Sequence, residues 1–432
     1  MAAKIVKYDT DKVYIEIEVK LTNSMLETEN IIQSSLNEAG CLATEKALER
    51  FDTDGSPIVM GNVKFTSKGK EGKSYQTPYG KAEIERHVYQ TNEGGKTYCP
   101  LEYQARIINS TTTPKFAQIV SDKYAELDGR AVVRDLEKNH GRKVPLLYVQ
   151  NVAESVQAIV EAKEEKWGYK VPHLDVPVAT VSIGMDGANV YILGEKFKQV
   201  MVGTIGLYDK DGNRLYTSYI ASHPEHGKEL FKEKMDAEIT QIKNQYPNAN
   251  YIGLADGAKD NWTFLEKYVD VLTLDFYHAT EYLSIASKVI YETKVIYETK
   301  NEQEMKLSEW CHQLKHEEGG AKIILESIKT FFENGNYSKK DREDLQKVIT
   351  YFTNNHDKMN YPSNIDKKLP IGSGITEAAC KVIVKERLCK SGMKWKRHGV
   401  RVVLDLRTMI YTPERWEQFW SKINRYGVYT HV

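Results

Sequence analysis

Five apolar runs of strand length, all between residues 179 and 275, constrain the fold of this chain more than any other feature. The runs occupy residues 179–186, 199–207, 215–220, 251–256 and 271–275. Short connections between the first three runs, one of them with the turn-forming sequence DKDGN, predict an antiparallel meander. Apolar residues at helical spacing predict a helix between the third and fourth runs. This order predicts an α/β fold in which a mixed sheet has flanking helices.

Two of these runs end in aspartates that are candidate metal ligands. Asp186 shares a strand face with the small residues Ser182 and Gly184, which leave room for a ligand, and Asp256 lies just before Gly257. We expect both carboxylates where strands run out into loops, a common position for ligand sites in α/β sheets. Because neighbouring carboxylates repel, the pair requires a cation that prefers oxygen ligands, such as Mg²⁺ or Mn²⁺.

A second ion needs a third carboxylate, and Glu377 is the candidate. Glu377 begins a predicted helix after the glycine turn at 372–374. Two ions about 3.5 to 4 Å apart can stabilise both the attacking and the leaving oxygen of a phosphoryl transfer. Glu386 is nine positions further on, about 180° around an ideal helix axis, and is therefore excluded. The competing interpretation is that these acids are only turn, cap or helix-dipole residues.

Positive charge is concentrated in residues 381–401, although the whole chain has 60 basic and 60 acidic side chains. This basic segment has one acid, Glu386, and eight basic residues: Lys381, Lys385, Arg387, Lys390, Lys394, Lys396, Arg397 and Arg401. Such a cluster can bind DNA phosphates without reading sequence, and Trp395 within it can stack on an unpaired base. Trp310, further upstream, is a second candidate DNA contact. The alternatives are a solvated basic helix face and, for either tryptophan, burial in a core.

Several segments of the second half have distinctive sequences. They are SIGMDG (182–187), GLADGA (253–258), LDFYHA (274–279), IGSGITEAACK (371–381) and ERLCKSGMKW (386–395). These sequences resemble those of bacterial DDE insertion-sequence transposases of the Kra type, over residues 179–420. The resemblance implies a ribonuclease H-like catalytic core in which Asp186, Asp256 and Glu377 hold two Mg²⁺ or Mn²⁺ ions. It also implies that His278, in an acid-x-x-His signature, lies near the cleaved strand.

The same patterns divide the chain into four regions. The predicted regions are a strand-rich N-terminal α+β region (1–110), a helical region (111–172), the catalytic core (173–280 and 361–432) and a helical insertion (281–360). The first region includes a basic hairpin at 64–86, in which the segment 67–75 is rich in turn residues. In the second region, helices near 116–127, 130–139 and from 145 form either a DNA-binding helix-turn-helix or a small linking bundle.

Together these inferences predict a DNA transposase that cleaves insertion-sequence ends and transfers the 3′-hydroxyl to target DNA. Its expected partner is double-stranded DNA, with at least a homodimer when two ends are held together. The alternatives are a domesticated nuclease of the same fold, a non-catalytic DNA-binding protein, or a glycoside hydrolase with paired carboxylates. The chain has five cysteines without a C-x-x-C pair, no signal sequence and no membrane-length apolar run. These features predict a cytoplasmic protein, associated with the bacterial nucleoid when bound to DNA.

Overall fold

The chain folds into two compact units. The computed structural model describes residues 2–163, 167–225, 228–292 and 299–428. The first unit takes its described residues from Met1–Tyr169, Asp405–Ile410 and Glu414–Val432, and the second from Lys170–Leu404 and Tyr411–Pro413. The second unit therefore holds both the five predicted strands and the predicted insertion. Residues 405–410 and those from 414 onward belong to the first unit, whereas the sequence assigned them to the core.

The first unit contains an antiparallel ribbon and a four-stranded sheet. Its strands are β1 (Ala3–Tyr8), β2 (Val13–Ile17), β3 (Ile58–Met60), β4 (Val63–Gln76), β5 (Lys81–Thr91) and β6 (Gly94–Tyr98), with the helix α1 (Met25–Glu49) between β2 and β3 in the chain. β4 and β5 pair antiparallel, so a hairpin occupies the predicted basic hairpin segment. The turn-rich residues 67–75 lie within β4, where pairing with β5 holds most of them extended.

Four helices follow the strands of the first unit. They are α2 (Pro100–Gln104), α3 (Pro114–Glu126), α4 (Gly129–His140) and α5 (Leu146–Lys163). The Asp128 carboxylate accepts hydrogen bonds from the N–H groups of Arg130 and Ala131, both at 3.0 Å, and so caps α4. Gly141 ends α4 with a left-handed φ of 62°, which favours glycine. The three helices predicted in 111–172 are confirmed, whereas their binding of DNA stays a prediction.

The second unit is built on a five-stranded mixed sheet of order β11-β10-β7-β8-β9. Its strands are β7 (Thr180–Ile192), β8 (Lys196–Tyr208), β9 (Arg214–Ser222), β10 (Asn250–Ala255) and β11 (Val271–Leu274). β7, β8 and β9 form the predicted antiparallel meander, and β10 lies parallel to both β7 and β11. The prediction of an α/β fold with a mixed sheet is confirmed.

β7 is longer than the sequence predicted. It pairs with β8 along its whole length, from Thr180 opposite Tyr208 to Ile192 opposite Lys196. Asp186 therefore lies inside a strand, opposite Val202, and the prediction that it ends a strand is wrong. The long hairpin supplies hydrogen bonds that keep residues 187–192 extended, although Gly and Asn are poor strand formers.

Helices pack on this sheet, and the sequence pattern predicts one of them. The elements α6 (Glu229–Gln245) and α7 (Lys259–Leu265) precede and follow β10. The apolar residues of α6 at helical spacing, Phe231, Met235, Ile239 and Ile242, are all buried. Gly203 of β8 permits the close approach, because a Cβ there would overlap the Met235 side chain.

The region between β11 and residue 370 is helical, as the sequence predicts. Its helices are α8 (Phe276–Glu292), α9 (Thr299–His316), α10 (Gly320–Asn334), α11 (Lys339–Asn355) and α12 (Tyr361–Asp366), with a 3-10 turn at His356–Lys358. Trp310, on α9, is only 1% exposed, so its indole has no free face for a base. The predicted DNA contact by Trp310 is therefore wrong, and burial in the core is correct. The sequence repeats VIYETK exactly, at 289–294 and 295–300, and this tandem repeat lies partly outside the described residues.

The last elements of the chain begin beside the sheet. They are α13 (Gly374–Ala379), a π-helical segment (Cys380–Lys385), α14 (Glu386–Leu388), α15 (Arg397–Tyr411) and α16 (Arg415–Tyr426). Among all helices in the described ranges, none has the length and apolar character needed to cross a lipid bilayer.

Candidate metal centre

Three aspartates lie at one level of the mixed sheet. The parallel registers of β10 with β7 and with β11, continued by one or two residues, place Asp256 beside Asp186 on one side and beside Asp275 on the other. Asp186 and Asp256 are half-buried, and Asp275 is fully buried. The sheet therefore brings together carboxylates that are up to 89 positions apart in the chain, from 186 to 275.

Asp186 is held between its own strand and the π-helical segment. One carboxylate oxygen accepts a hydrogen bond from the Gly187 N–H at 2.6 Å. The other lies 3.4 Å from Cys380 Sγ, which donates its hydrogen to it. Burial, and next the negative charge of Asp186, raise the pKa of the Cys380 thiol, so that the thiol stays protonated and remains a donor.

Asp256 follows β10 at the start of a tight loop. Its Oδ1 accepts hydrogen bonds from the Ala258 N–H at 3.2 Å and from Asn261 Nδ2 at 3.3 Å. Gly257 has a φ of 106°, a conformation that favours glycine. The main-chain oxygen of Asp256 accepts a hydrogen bond from the Tyr351 hydroxyl at 2.9 Å, so α11 of the helical insertion also holds this loop.

Glu377 reaches the sheet because α13 packs across β7 and β8. The hydroxyls of Thr376 and Thr204 are 2.7 Å apart, which ties α13 to β8. Gly184 of β7 permits this approach, because a Cβ there would overlap Thr376. The face of small residues that includes Asp186 is therefore partly covered by the helix that carries Glu377.

The helix geometry changes directly after α13. Residues Cys380–Lys385 are π-helical, with i→i+5 hydrogen bonds, and such segments are frequent at functional sites. The rotation of about 180° expected for an ideal α-helix between Glu377 and Glu386 therefore does not apply. Glu386 is nevertheless exposed, and it is outside the ligand group that contains Glu377.

Among the described residues, Asp275, His278 and Glu377 form a compact group that could hold a metal ion. Each offers one ligand atom, and these atoms all lie within 4.8 Å of one another. Asp275 Oδ1 accepts the His278 N–H at 2.8 Å, and Asp275 Oδ2 accepts the N–H of Ser373. Ser373 Oγ in turn donates to Glu377 Oε1 at 3.4 Å. Asp275 thus fixes the start of α8 and the loop before α13, which brings His278 and Glu377 together.

The predicted triad is only partly brought together. Glu377 and His278 belong to the compact group with Asp275. Asp186 and Asp256 lie at the same level of the sheet as Asp275, but they are outside that group. Asp275 was not among the ligands predicted from the sequence. The signal was present, because Asp275 directly follows the fifth apolar run and opens the acid-x-x-His signature. We call Asp186, Asp256, Asp275, His278 and Glu377 the acidic centre.

Burial and the negative charge of the acidic centre together raise the pKa values of two neighbouring tyrosines. Burial raises the pKa of the Tyr351 hydroxyl above its usual value, with further contributions from Tyr282, Asp256 and Asp275. The pKa of Tyr361 is also raised, first by burial and then by Tyr351 and Asp275. Both phenols therefore stay neutral, and neither adds to the repulsion between the carboxylates.

The acidic centre suits divalent cations. Four carboxylates provide the hard oxygen ligands that Mg²⁺ and Mn²⁺ prefer, and His278 adds one imidazole nitrogen. The side-chain oxygen of Asn261, whose amide nitrogen bonds Asp256, is buried without a hydrogen-bond partner among the described residues. Such an unpaired acceptor beside the carboxylates fits a site that takes up an ion with its water shell.

Folding divides the basic segment. Five lysines are exposed, as DNA contacts must be: Lys381, Lys385, Lys390, Lys394 and Lys396. Arg387 is 1% exposed and lies over the Trp395 ring at 5.0 Å, so the prediction that it contacts DNA is wrong. Arg397 is exposed but pairs with Glu195, with N–O distances of 2.7 and 2.5 Å. Trp395 is half-buried and donates from Nε1 to the Leu388 oxygen at 2.9 Å.

Arg401 is half-buried, so it presents less of its side chain than the lysines do.

No known protein-family model matches the chain, and no curated protein matches it significantly.

Proposed function

We propose that the chain is a DDE-type DNA transposase that cleaves insertion-sequence ends and joins the new 3′-hydroxyl to target DNA. Two observations carry the proposal: Asp186, Asp256 and Asp275 lie at one level of three neighbouring strands, and the ligand atoms of Asp275, His278 and Glu377 lie within 4.8 Å of one another. Carboxylates gathered in this way favour a site for divalent cations and a polyanionic substrate.

The sheet supports a ribonuclease H-like core. Three antiparallel strands come first, and two further strands lie parallel to the first of them, with helices between. This agrees with the core that the sequence motifs imply. Fold alone does not establish activity, so the proposal depends on the side chains of the acidic centre.

The side chains have separate roles in the proposed reaction. Asp186 and Asp256 position the attacking water, and afterwards the 3′-hydroxyl, from neighbouring strands. Glu377 and His278, whose ligand atoms lie within 4.8 Å of one another, act on the leaving oxygen. When bound, two Mg²⁺ or Mn²⁺ ions would neutralise charge on both oxygens. Asp275 holds Glu377 and His278 in place through the N–H groups of Ser373 and His278.

The DNA would approach along the exposed lysines of the basic segment. Lys381 and Lys385 follow Glu377 on the same continuous helical stretch, so the phosphate contacts and Glu377 belong to one structural element. Cations of this kind supply affinity without reading bases. Joining two element ends further requires at least two copies of the chain.

The test is cleavage of a labelled DNA end in Mg²⁺ or Mn²⁺, with binding to the same DNA measured in parallel. We expect Asp186→Asn, Asp256→Asn and Glu377→Gln to abolish cleavage while binding persists, because phosphate contacts come from other residues. Glu386→Gln is the matched control, since Glu386 is exposed and does not belong to the acidic centre. Full activity in Asp186→Asn would refute the two-ion mechanism.

The alternative is a nuclease of the same fold without strand transfer. Both proteins would lose cleavage in the amide variants, so the products must decide. A transposase gives DNA in which the labelled 3′-end is joined to a target duplex, whereas a nuclease gives only shortened fragments. A protein that binds DNA but gives neither product would be a non-catalytic DNA-binding protein.

A further inference from the structure

A large open cleft lies next to the acidic centre, in the same unit. Its volume is about 1530 Å³, and its lining comes from α7, α8, α10 and α11 and from the residues around them. Gly257, the residue after Asp256, is part of the lining. The cleft therefore begins one residue from a side chain of the acidic centre.

One helix, α11, contributes much of the lining, along almost its whole length. Lys339, Arg342, Gln346, Thr350 and Asn354 all line the cleft and are all exposed. Their spacing of three or four residues places them on one helix face. At a rise of 1.5 Å per residue this face is about 22 Å long, enough for several successive nucleotides.

The charge of the cleft suits a polyanion. Five basic side chains line it, against the acids Glu266 and Glu343. Lys347 and Lys358 are paired with aspartates, each at 2.8 Å. The remaining basic residues of the lining are Lys259, Lys339 and Arg342.

Aromatic side chains in the same cleft indicate which class of polyanion the cleft can bind. Tyr282, Phe332 and Tyr351 belong to the lining and are half-buried, and the rings of Tyr282 and Tyr351 stack with centroids 3.7 Å apart. Trp262 also belongs to the lining, but it is only 6% exposed. Aromatic rings bind unpaired bases by stacking, whereas a duplex hides the faces of its bases. An acidic peptide would use the cations but would gain nothing from the rings.

We propose that this cleft binds a single-stranded segment of the DNA substrate, next to the point of cleavage. That the strand is DNA rests on the proposed function, whereas the position of the binding site rests on the cleft itself. Tyr351 connects the two, because it lines the cleft and its hydroxyl bonds the main-chain oxygen of Asp256 at 2.9 Å. A strand lying along α11 would thus lead to the acidic centre.

The test uses the full chain and a fluorescent single-stranded oligodeoxynucleotide, with affinity measured at several salt concentrations. For each lost phosphate contact the slope of log affinity against log salt falls by about 0.7 for single strands. We expect Lys339→Ala/Arg342→Ala to reduce the slope by about 1.4. The matched control is Lys322→Ala/Lys340→Ala, two exposed lysines of α10 and α11 outside the lining.

A second variant tests stacking separately from charge. Tyr282→Ala should weaken single-strand affinity by about 5- to 150-fold, which is the range for one stacked base. Tyr282→Phe should bind like the parent, because it keeps the ring. Equal thermal unfolding of the two variants would show that the loss does not come from damage to the fold.

Four outcomes would overturn the inference. They are an unchanged slope in Lys339→Ala/Arg342→Ala, an equal loss in the control pair, competition by a duplex as effective as by a single strand, and equal competition by polyglutamate. The proposed function is tested separately by cleavage. If the protein cleaves DNA but the cleft variants bind single strands like the parent, only the proposed role of the cleft is rejected. If single-strand binding depends on the cleft but the protein cleaves no DNA, only the proposed transposase function is rejected.

Discussion

The acidic centre draws its side chains from distant parts of the chain, whereas the basic segment is contiguous and is divided by folding. Asp186 and Glu377 are 191 positions apart in the chain. Nevertheless, Asp186 accepts a hydrogen bond from Cys380, and Glu377 lies on α13, the helix that ends directly before Cys380. By contrast, Arg387 and Lys390 are neighbours in sequence, but the first is buried and the second is exposed. Both regions belong to the second unit.

The difference shows what a local pattern can and cannot say about a site. Charge density in a short segment does not specify one surface, because a helix directs successive side chains around its whole circumference. Residues on neighbouring parallel strands are different, because sheet register places them at one level wherever they occur in the chain. The following predictions test this contrast.

The largest expected effect on stability is at Arg387. Arg387→Ala removes a large, fully buried side chain and its contact with the Trp395 ring, and should lower the free energy of unfolding by about 3 kcal/mol. Lys390→Ala, three residues away and exposed, should change it by no more than about 0.5 kcal/mol. Urea unfolding of both variants measures this. Equal stabilities would mean that Arg387 is a surface cation after all.

The variants Asp275→Asn and Glu377→Gln should differ in stability, but both should be inactive. Asp275→Asn weakens hydrogen bonds to two N–H groups in a buried site and should cost about 1 to 3 kcal/mol of unfolding free energy. Glu377→Gln, at an exposed position, should stay within about 0.5 kcal/mol of the parent. Both variants should lose metal-dependent cleavage. An active Asp275→Asn would remove Asp275 from the acidic centre and leave it as a helix cap.

Lys394, Lys396 and Arg397 should not contribute equally to duplex binding. Lys394→Ala and Lys396→Ala should each reduce the slope of log affinity against log salt by about 0.9, the value for one phosphate on duplex DNA. Arg397→Ala should leave the slope almost unchanged, because its guanidinium is paired with Glu195. Titrations of labelled duplex at several salt concentrations measure all three. A full loss of one phosphate in Arg397→Ala would show that DNA displaces Glu195.

The smallest effect concerns the link between Asp186 and the π-helical segment. Cys380→Ala removes the donor to Asp186 and should cost about 0.5 to 1.5 kcal/mol of unfolding free energy. The exposed Cys389 provides the control, and Cys389→Ala should change stability by less than about 0.5 kcal/mol. Chemical unfolding of the two variants measures the difference. Indistinguishable stabilities would mean that the contact between Cys380 and Asp186 contributes nothing.

The sequence by itself determined the order of the elements and much of their character. Helical spacing identified α6, Gly141 marked the end of α4, and the apolar runs identified all five strands of the second sheet. These signals are local, because periodicity and capping depend on residues only a few positions apart. The extent of β7 was missed, since pairing with β8 decided it.

Only the tertiary structure decided which side chains meet. The register of β10 between β7 and β11 places Asp256 between Asp186 and Asp275, and the N–H of Ser373 connects Asp275 to the loop before Glu377. Packing likewise buried Arg387 and Trp310 while it left Lys390 exposed. No local pattern contains this information, because proximity across a sheet depends on hydrogen-bond register and on the helices that pack against it.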